Sequence, residues 1–235
     1  MELYKTFSLF TDVNLKAYYR LEGNANDATA NAHNGTDLNA TYGTLYGRYG
    51  QGITYANGWS VIPDHVHFKP TTNFSVGAWI KTTSIGDERF FVSHYRDSGG
   101  QRAGWEIGTT AAGKFYGEMG IAGSGDGDVG NVAKVPTCIS SASINDGKWK
   151  FCVMTYDGSV QRLYVNGVAD GTTNTTITIG YHASNAVRIG ADYYVGNPIL
   201  GFTGSLDEIF IFNGTVLTAA NIKTLYISFF ISGII

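Results

Sequence analysis

The sequence predicts an all-β fold, an antiparallel sandwich with one short C-terminal helix. Three observations carry the prediction. At least nine segments alternate apolar and polar residues at short spacing, and helical periodicity is almost absent. Glycine accounts for 31 of 235 residues against 4 prolines, the balance expected of many strands joined by tight turns. A sandwich of this length needs no division into domains, and the sequence contains no internal repeat or linker. Residues 1–12 read as a lead-in arm, 13–226 as the domain and 227–235 as an apolar exit segment.

The first strand is read from Ala17 to Glu22, with Tyr19 and Leu21 toward one side and Tyr18, Arg20 and Glu22 toward the other. His65-Val-His67 reads as strand with both imidazoles on one face, a pair too small for a metal site without a third ligand. Further strands are expected over Phe74 to Lys81, Arg89 to Tyr95, Trp105 to Thr109, Lys114 to Met119 and Lys148 to Tyr156. Val160 to Val165, Ala186 to Ala191 and Phe202 to Phe212 complete the set. Asp157-Gly158 and Asn166-Gly167 flank one of these strands. Both dipeptides favour the positive φ of two-residue hairpin loops, so a three-stranded meander runs from Lys148 to about Ala169. The helix is read from Thr218 to Tyr226, with Thr218 as N-cap and Ile222 and Leu225 on one face. Trp79 and Trp149, each in an apolar alternating run, are expected as core anchors of the two facing sheets.

Composition narrows the function classes. A net charge of −3 without a basic run removes the electrostatic footprint of a nucleic-acid binder. Charged residues make up only 15%, so Ser, Thr, Asn and Gly must cover the surface, which suits an extracellular or virion environment. The opening Met1 to Phe10 has no basic leader, apolar run or small-residue cleavage site, so no signal peptide is recognisable. The tail Tyr226 to Ile235 is apolar but well short of the roughly 20 residues of a membrane span. It reads as a final strand or a segment packed on the sandwich, and secondly as a contact for homo-oligomer or appendage assembly. Cys138 and Cys152 lack zinc-site number and spacing. On neighbouring strands they could cross-link, and register decides between thiols and a disulfide.

Two segments near the chain ends join strand alternation to acidic or amide groups: Ala17 to Asp27, continuing through Ala32-His-Asn-Gly-Thr36, and Gly204 to Phe212, continuing through Asn213 to Tyr226. With Phe74 to Lys81, Asn145 to Trp149 and Thr155 to Gly158, they resemble the laminin G-like, concanavalin A-like domains of the bacterial and phage branch, over roughly residues 13 to 226. The resemblance implies a jelly-roll sandwich whose first and last strands lie together, with a buried Trp at both Trp motifs. It also implies a structural Ca²⁺ held by Asp27, Asn34 and Asp207, with Asn24 or Asn26 adding an oxygen. Read locally, Asp27 and Asn34 instead make side-chain turns to their own backbone, and Asp207 is a solvent-facing strand residue. The acidic loop Gly123 to Asn131 fails the EF-hand template for want of a Glu at the required position.

Carbohydrate sites combine an aromatic platform with side chains that donate and accept hydrogen bonds. Three loops offer that mixture: Ser93 to Arg102, Asp126 to Asn131 and Ala191 to Asn197. The candidate ligand-binding residues are Tyr95, Arg96, Asp97, Tyr193 and Tyr194, with Trp59 and Trp105 behind them. Catalysis finds no support. The Glu-x-Asp-x-x-Glu strand that carries paired carboxyls in β-glucanases is absent, and adjacent Asp207 and Glu208 fall on opposite strand faces. There is no Gly-x-Ser-x-Gly or His-Glu-x-x-His. The expectation is a non-catalytic binding or adhesion module for glycan, displayed on a cell or virion. The alternative is a structural subunit or decoration protein of an appendage that contacts protein.

Overall fold

The computed structural model describes residues 12–98, 101–121, 136–194, 197–199 and 201–232. Its strands are β1 Leu15–Tyr19, β2 Thr36–Gly43, β3 Gly52–Ile62, β4 Phe74–Lys81, β5 Arg89–Ser98, β6 Gln101–Thr109, β7 Lys114–Met119 and β8 Thr137–Ser143. They continue with β9 Lys150–Tyr156, β10 Val160–Val165, β11 Val168–Asn174, β12 Val187–Ile189, β13 Asp192–Tyr194, β14 Asn197–Ile199 and β15 Ser205–Asn213, followed by helix α1, Ala219–Ser232.

The strands form a continuous, mostly antiparallel sheet in the order β11-β10-β9-β4-β15-β3-β12-β5-β6-β7-β8. It curls so that its two ends meet. Asp170 on β11 accepts the backbone N–H groups of Ser141 and Ala142 on β8 at 3.3 and 3.2 Å. Gln161 on β10 donates across the interior to the Gly117 carbonyl of β7 at 2.8 Å. The result is a nearly closed antiparallel sandwich. As expected, the first and last strands pair, with Tyr18 opposite Phe210 and Tyr19 opposite Ile209. The Asn166-Gly167 loop has φ of 53° and 79° and joins Val165 directly to its register partner Val168. That is the left-handed pair a two-residue hairpin requires.

Burial separates the apolar residues into two clusters. The inter-sheet core includes Phe74, Val76, Ala78 and Ile80 of β4, together with Trp105, Ile107, Phe115 and Tyr156. The second cluster lies on the opposite face of β4, β9 and β15, where Trp79, Phe151, Val153 and Phe210 pack under Ile222 and Leu225 of α1. Trp79 is therefore not an inter-sheet anchor. Period-two alternation puts it on the opposite face from Ala78 and Ile80, stacked on Tyr226 of the helix at 5.7 Å. Trp149 is only partly buried at the margin of the same outer cluster.

Three other expectations change. The helix continues past Tyr226 to Ser232, so residues 227–232 are neither a strand nor a separate segment. Thr218 and Asn221 cap it reciprocally, each side-chain oxygen accepting the other's backbone N–H at 3.1 Å. Cys138 and Cys152 are free and buried. Their strands are not neighbours, because β8 pairs with β7 while β9 lies between β4 and β10. The segment around His65 and His67 is a one-turn 3-10 helix, Val66–Phe68, with His65 as its N-cap. No helix among the described residues is long and apolar enough to cross a membrane.

Candidate functional site

Four of the five candidate ligand-binding residues are brought to one place. Arg96 and Asp97 lie on β5 and Tyr193 and Tyr194 on β13, and these strands meet through a parallel bridge between Asp97 and Tyr194. The side chains of Asp97 and Tyr194 lie outside the described part of the structure. The Tyr193 ring is half-buried and faces two guanidinium groups, Arg188 at 4.3 Å and Arg96 at 5.7 Å from its centroid. Cation–π contact of this kind holds a ring in place without enclosing it. Arg188 is itself positioned by Asn185 Oδ1 and the Ala186 carbonyl, both at 3.1 Å.

The remaining candidates go elsewhere. Tyr95 is buried, and its hydroxyl donates to Glu118 Oε1 at 2.6 Å. Trp105 is buried in the inter-sheet core, its indole N–H donating to the Phe68 carbonyl at 2.9 Å. Trp59 is half-buried on β3, where its register partner is Leu38 of β2. The loop from Asp126 to Asn131 lies outside the described residues.

A polar row that sequence reasoning missed runs beside this rim. In register across β12, β5, β6, β7 and β8 stand Arg188, Ser93, Glu106, Glu118 and Thr137. On β6, Glu106 falls between Trp105 and Ile107 of the core, so alternation turns it to the other face. Glu118 gathers Tyr95, Arg102 at 3.4 Å and Thr137 at 2.9 Å. Glu106 accepts from the Tyr116 hydroxyl at 2.9 Å. Burial pushes the Glu106 carboxyl well above its ordinary range, and the negative charges of Asp192 and Glu118 push it further. Asp192 is raised as well, again chiefly by burial. Glu106 Oε2, Asp192 Oδ1, Arg188 Nε and Arg96 Nε are buried without a hydrogen-bond partner among the described residues. The face thus holds cationic donors, a ring, and carboxyls biased toward the protonated form, which can donate as well as accept.

The residues expected to hold calcium separate into two places. Asp27 Oδ1 accepts the N–H groups of Tyr18 and Thr29, and Oδ2 accepts the Thr29 hydroxyl and the His33 N–H. Asn34 Oδ1 accepts the Asp27 N–H at 3.0 Å. Asp207 lies on β15 and holds a different loop, its Oδ2 accepting the N–H groups of Arg48 and Tyr49 at 2.7 and 2.9 Å. It is fully buried rather than solvent-facing. Glu208, expected on the opposite strand face, is buried too. It sits at φ 51° where the β15 register against β4 shifts between Asp207 and Phe210. Asp27 and Asn34 form a hydrogen-bonded brace whose oxygens are already engaged. With Asp207 bound to a separate loop, this arrangement does not fit the six to eight convergent oxygens of Ca²⁺.

Comparison with known proteins bears on the fold first. The sequence profile described as concanavalin A-like lectin/glucanases superfamily, a laminin G-like profile, matches residues 54–223. No curated protein matches the chain. Among solved structures, the chain is similar to domain 4 of AbnA, an extracellular GH43 arabinanase from Geobacillus stearothermophilus, in complex with arabinotriose. The TM-score is 0.67 at 17% identity, covering 91% of this chain and 98% of that one. It is similar also to the binding domain of Paraclostridial Mosquitocidal Protein 1, with a TM-score of 0.68 at 15% identity, covering 92% and 52%. The binding domain of Botulinum Neurotoxin DC in complex with SialylT gives a TM-score of 0.66 at 15% identity, covering 94% and 52%. The chain thus spans about half the length of each toxin binding domain and nearly all of the arabinanase domain.

Proposed function

We propose, for a chain that belongs to the concanavalin A-like lectin/glucanase superfamily, the role of a non-catalytic binding module that recognises glycan and is displayed outside a cell or on a virion. The observation that carries the reading is the Tyr193 ring held in cation–π contact by both Arg96 and Arg188. Nearby, the buried carboxyls of Glu106 and Asp192 each keep one oxygen without a hydrogen-bond partner among the described residues. A sugar presents apolar ring faces edged by hydroxyls, and a positioned aromatic ring flanked by fixed donors and acceptors matches both. Two of the similar structures support the class of ligand: one was determined with arabinotriose and one with SialylT.

The test is a glycan array that includes arabino-oligosaccharides and sialylated glycans, followed by calorimetry on any hit. Tyr193→Ala and Arg96→Ala are expected to weaken binding at least tenfold while leaving the melting temperature within a few degrees of wild type. Loss of turnover of the same glycans should not enter, because the wild type is expected to release no reducing sugar. An array with no signal for the wild-type protein overturns the reading. So does binding that survives both substitutions.

A further inference from the structure

We infer that His33, His65 and His67 form a binding site for one divalent transition-metal ion of the zinc class, with three imidazole ligands and a remaining position open to solvent. Among the described residues, these are the one group of three or more His, Cys, Asp or Glu side chains whose ligand atoms converge, all within 4.8 Å of one another. The three residues come from two places in the chain. His33 lies in the loop between β1 and β2, while His65 caps and His67 lies within the 3-10 turn between β3 and β4. The isolated His65-x-His67 pair is a weak signal; the third ligand is supplied by the fold.

The geometry is that of a metal site awaiting small adjustment. His33 Nε2 and His67 Nδ1 stand 2.8 Å apart. In a tetrahedral ion with Zn–N bonds of about 2.0–2.1 Å, two ligand nitrogens lie roughly 3.3 Å apart, so a shift of about half an ångström in side-chain position admits the ion. Coordination through these two nitrogens leaves the proton of each neutral ring on its other nitrogen. The rings of His33 and His65 have centroids 4.5 Å apart, those of His65 and His67 4.3 Å, and those of His33 and His67 5.1 Å. His65 Nδ1 now receives a long 3.2 Å contact from the His67 N–H, one that coordination would replace.

The backbone that carries the ligands is braced from several directions. The His33 N–H donates to Asp27 Oδ2 at 3.0 Å, and the Tyr19 hydroxyl donates to the His33 carbonyl at 2.9 Å. Asn213 donates to the His67 carbonyl at 3.1 Å, and the His33 ring meets Phe68 edge-on at 4.8 Å. Such bracing limits the ordering cost of binding. Imidazole selects Zn²⁺, Cu²⁺, Ni²⁺ or Co²⁺ over the oxygen-seeking Ca²⁺ and Mg²⁺. The cluster is partly exposed, so the ion has a path from solvent and keeps a coordination position for water or an external ligand. Bound there, it would clip the loop after the first strand to the turn before β4.

The experiment uses the untagged chain, dialysed against a chelator and titrated with Zn²⁺ and Co²⁺ by calorimetry and visible absorption. One equivalent of Zn²⁺ is expected to bind and to raise the melting temperature by several degrees, with no response to Ca²⁺. Co²⁺ is expected to give the intense visible bands of a four-coordinate nitrogen site without near-ultraviolet thiolate charge transfer, which separates it from binding at Cys138 or Cys152. His33→Ala and His67→Ala should each weaken the metal at least tenfold and abolish the thermal shift. Metal-free melts, repeated with His33→Gln and His67→Gln, check that the variants remain folded. Zn²⁺ binding as tight in folded His33 variants as in wild type overturns the assignment, as does absence of Zn²⁺ binding to the wild type.

Discussion

The backbone N–H of Asp27 donates to Oδ1 of Asn34 at 3.0 Å, while the Asp27 carboxyl accepts three backbone N–H groups and one hydroxyl. The pair closes the loop that follows β1. Asp27→Ala leaves the N–H groups of Tyr18, Thr29 and His33 short of an acceptor. The expected loss is about 2–4 kcal/mol of unfolding free energy, given a cost of roughly 1–3 kcal/mol for each buried group left unpaired, as measured by urea denaturation. Ca²⁺ added to chelator-treated wild type should leave the melt unchanged. A saturable upward shift would show that the brace opens to take the ion.

A pH dependence follows from β15. Burial pushes the Glu208 carboxyl up to about 8. It also pushes Asp207 up to about 7, against the opposing pull of the Tyr49 and Arg48 N–H groups. The folded state therefore keeps protons that the unfolded chain releases near its ordinary carboxyl pKa of about 4. Between about pH 4 and 8 the folded state binds more protons, so stability from these groups is full below the window and falls as pH rises through it. His33, His67 and His94 are shifted below their ordinary value by burial and work in the other direction up to about 6.5. Comparison with Glu208→Gln cancels them. Urea midpoints of wild type should fall more steeply from pH 5 to 8.5 than those of the variant, and parallel profiles would contradict the assignment.

Cys138 and Cys152 are both buried in the inter-sheet core, and burial raises both thiols above their ordinary range. A buried neutral thiol is a poor nucleophile. Titration with a disulfide reagent should find both thiols unreactive in native buffer and two equivalents in denaturant, without prior reduction. Two equivalents missing in denaturant and recovered after reduction would reveal a disulfide instead.

Strands whose alternation is uninterrupted were legible at their observed limits: Phe74–Lys81, Lys114–Met119 and Val160–Val165. Those that escaped depart from that pattern. β2 is largely exposed and rich in Thr, Asp and Asn, and its register slips between Leu38 and Ala40. β3 is broken by Asn57 at φ 54° and by Gly58, packed tightly against the Leu38 carbonyl. Arg96 and Tyr193 were legible as polar and aromatic residues in neighbouring loops. Glu106 and Glu118 were not, because alternation assigns them to the non-core face but does not reveal that the folded chain buries Glu106 and partly buries Glu118 there. His33 escaped for a related reason: its partners lie beyond two intervening strands, and only the folded chain brings them within reach.

The place of β15 bears on how the protein is made. It sits between β4 on one edge and β1 and β3 on the other, yet among the strands it is the last to leave the ribosome. Until it emerges, β3 and β4 lack the neighbour that joins them, and their edges stand unpaired while translation continues. The closing contacts, such as Leu15 with Phe212, span most of the chain, a topology that folds slowly and exposes intermediates to misassembly. The last strand acts as a keystone. A nascent chain stalled before Ser205 holds most of the apolar residues of this domain without the strand that locks them together.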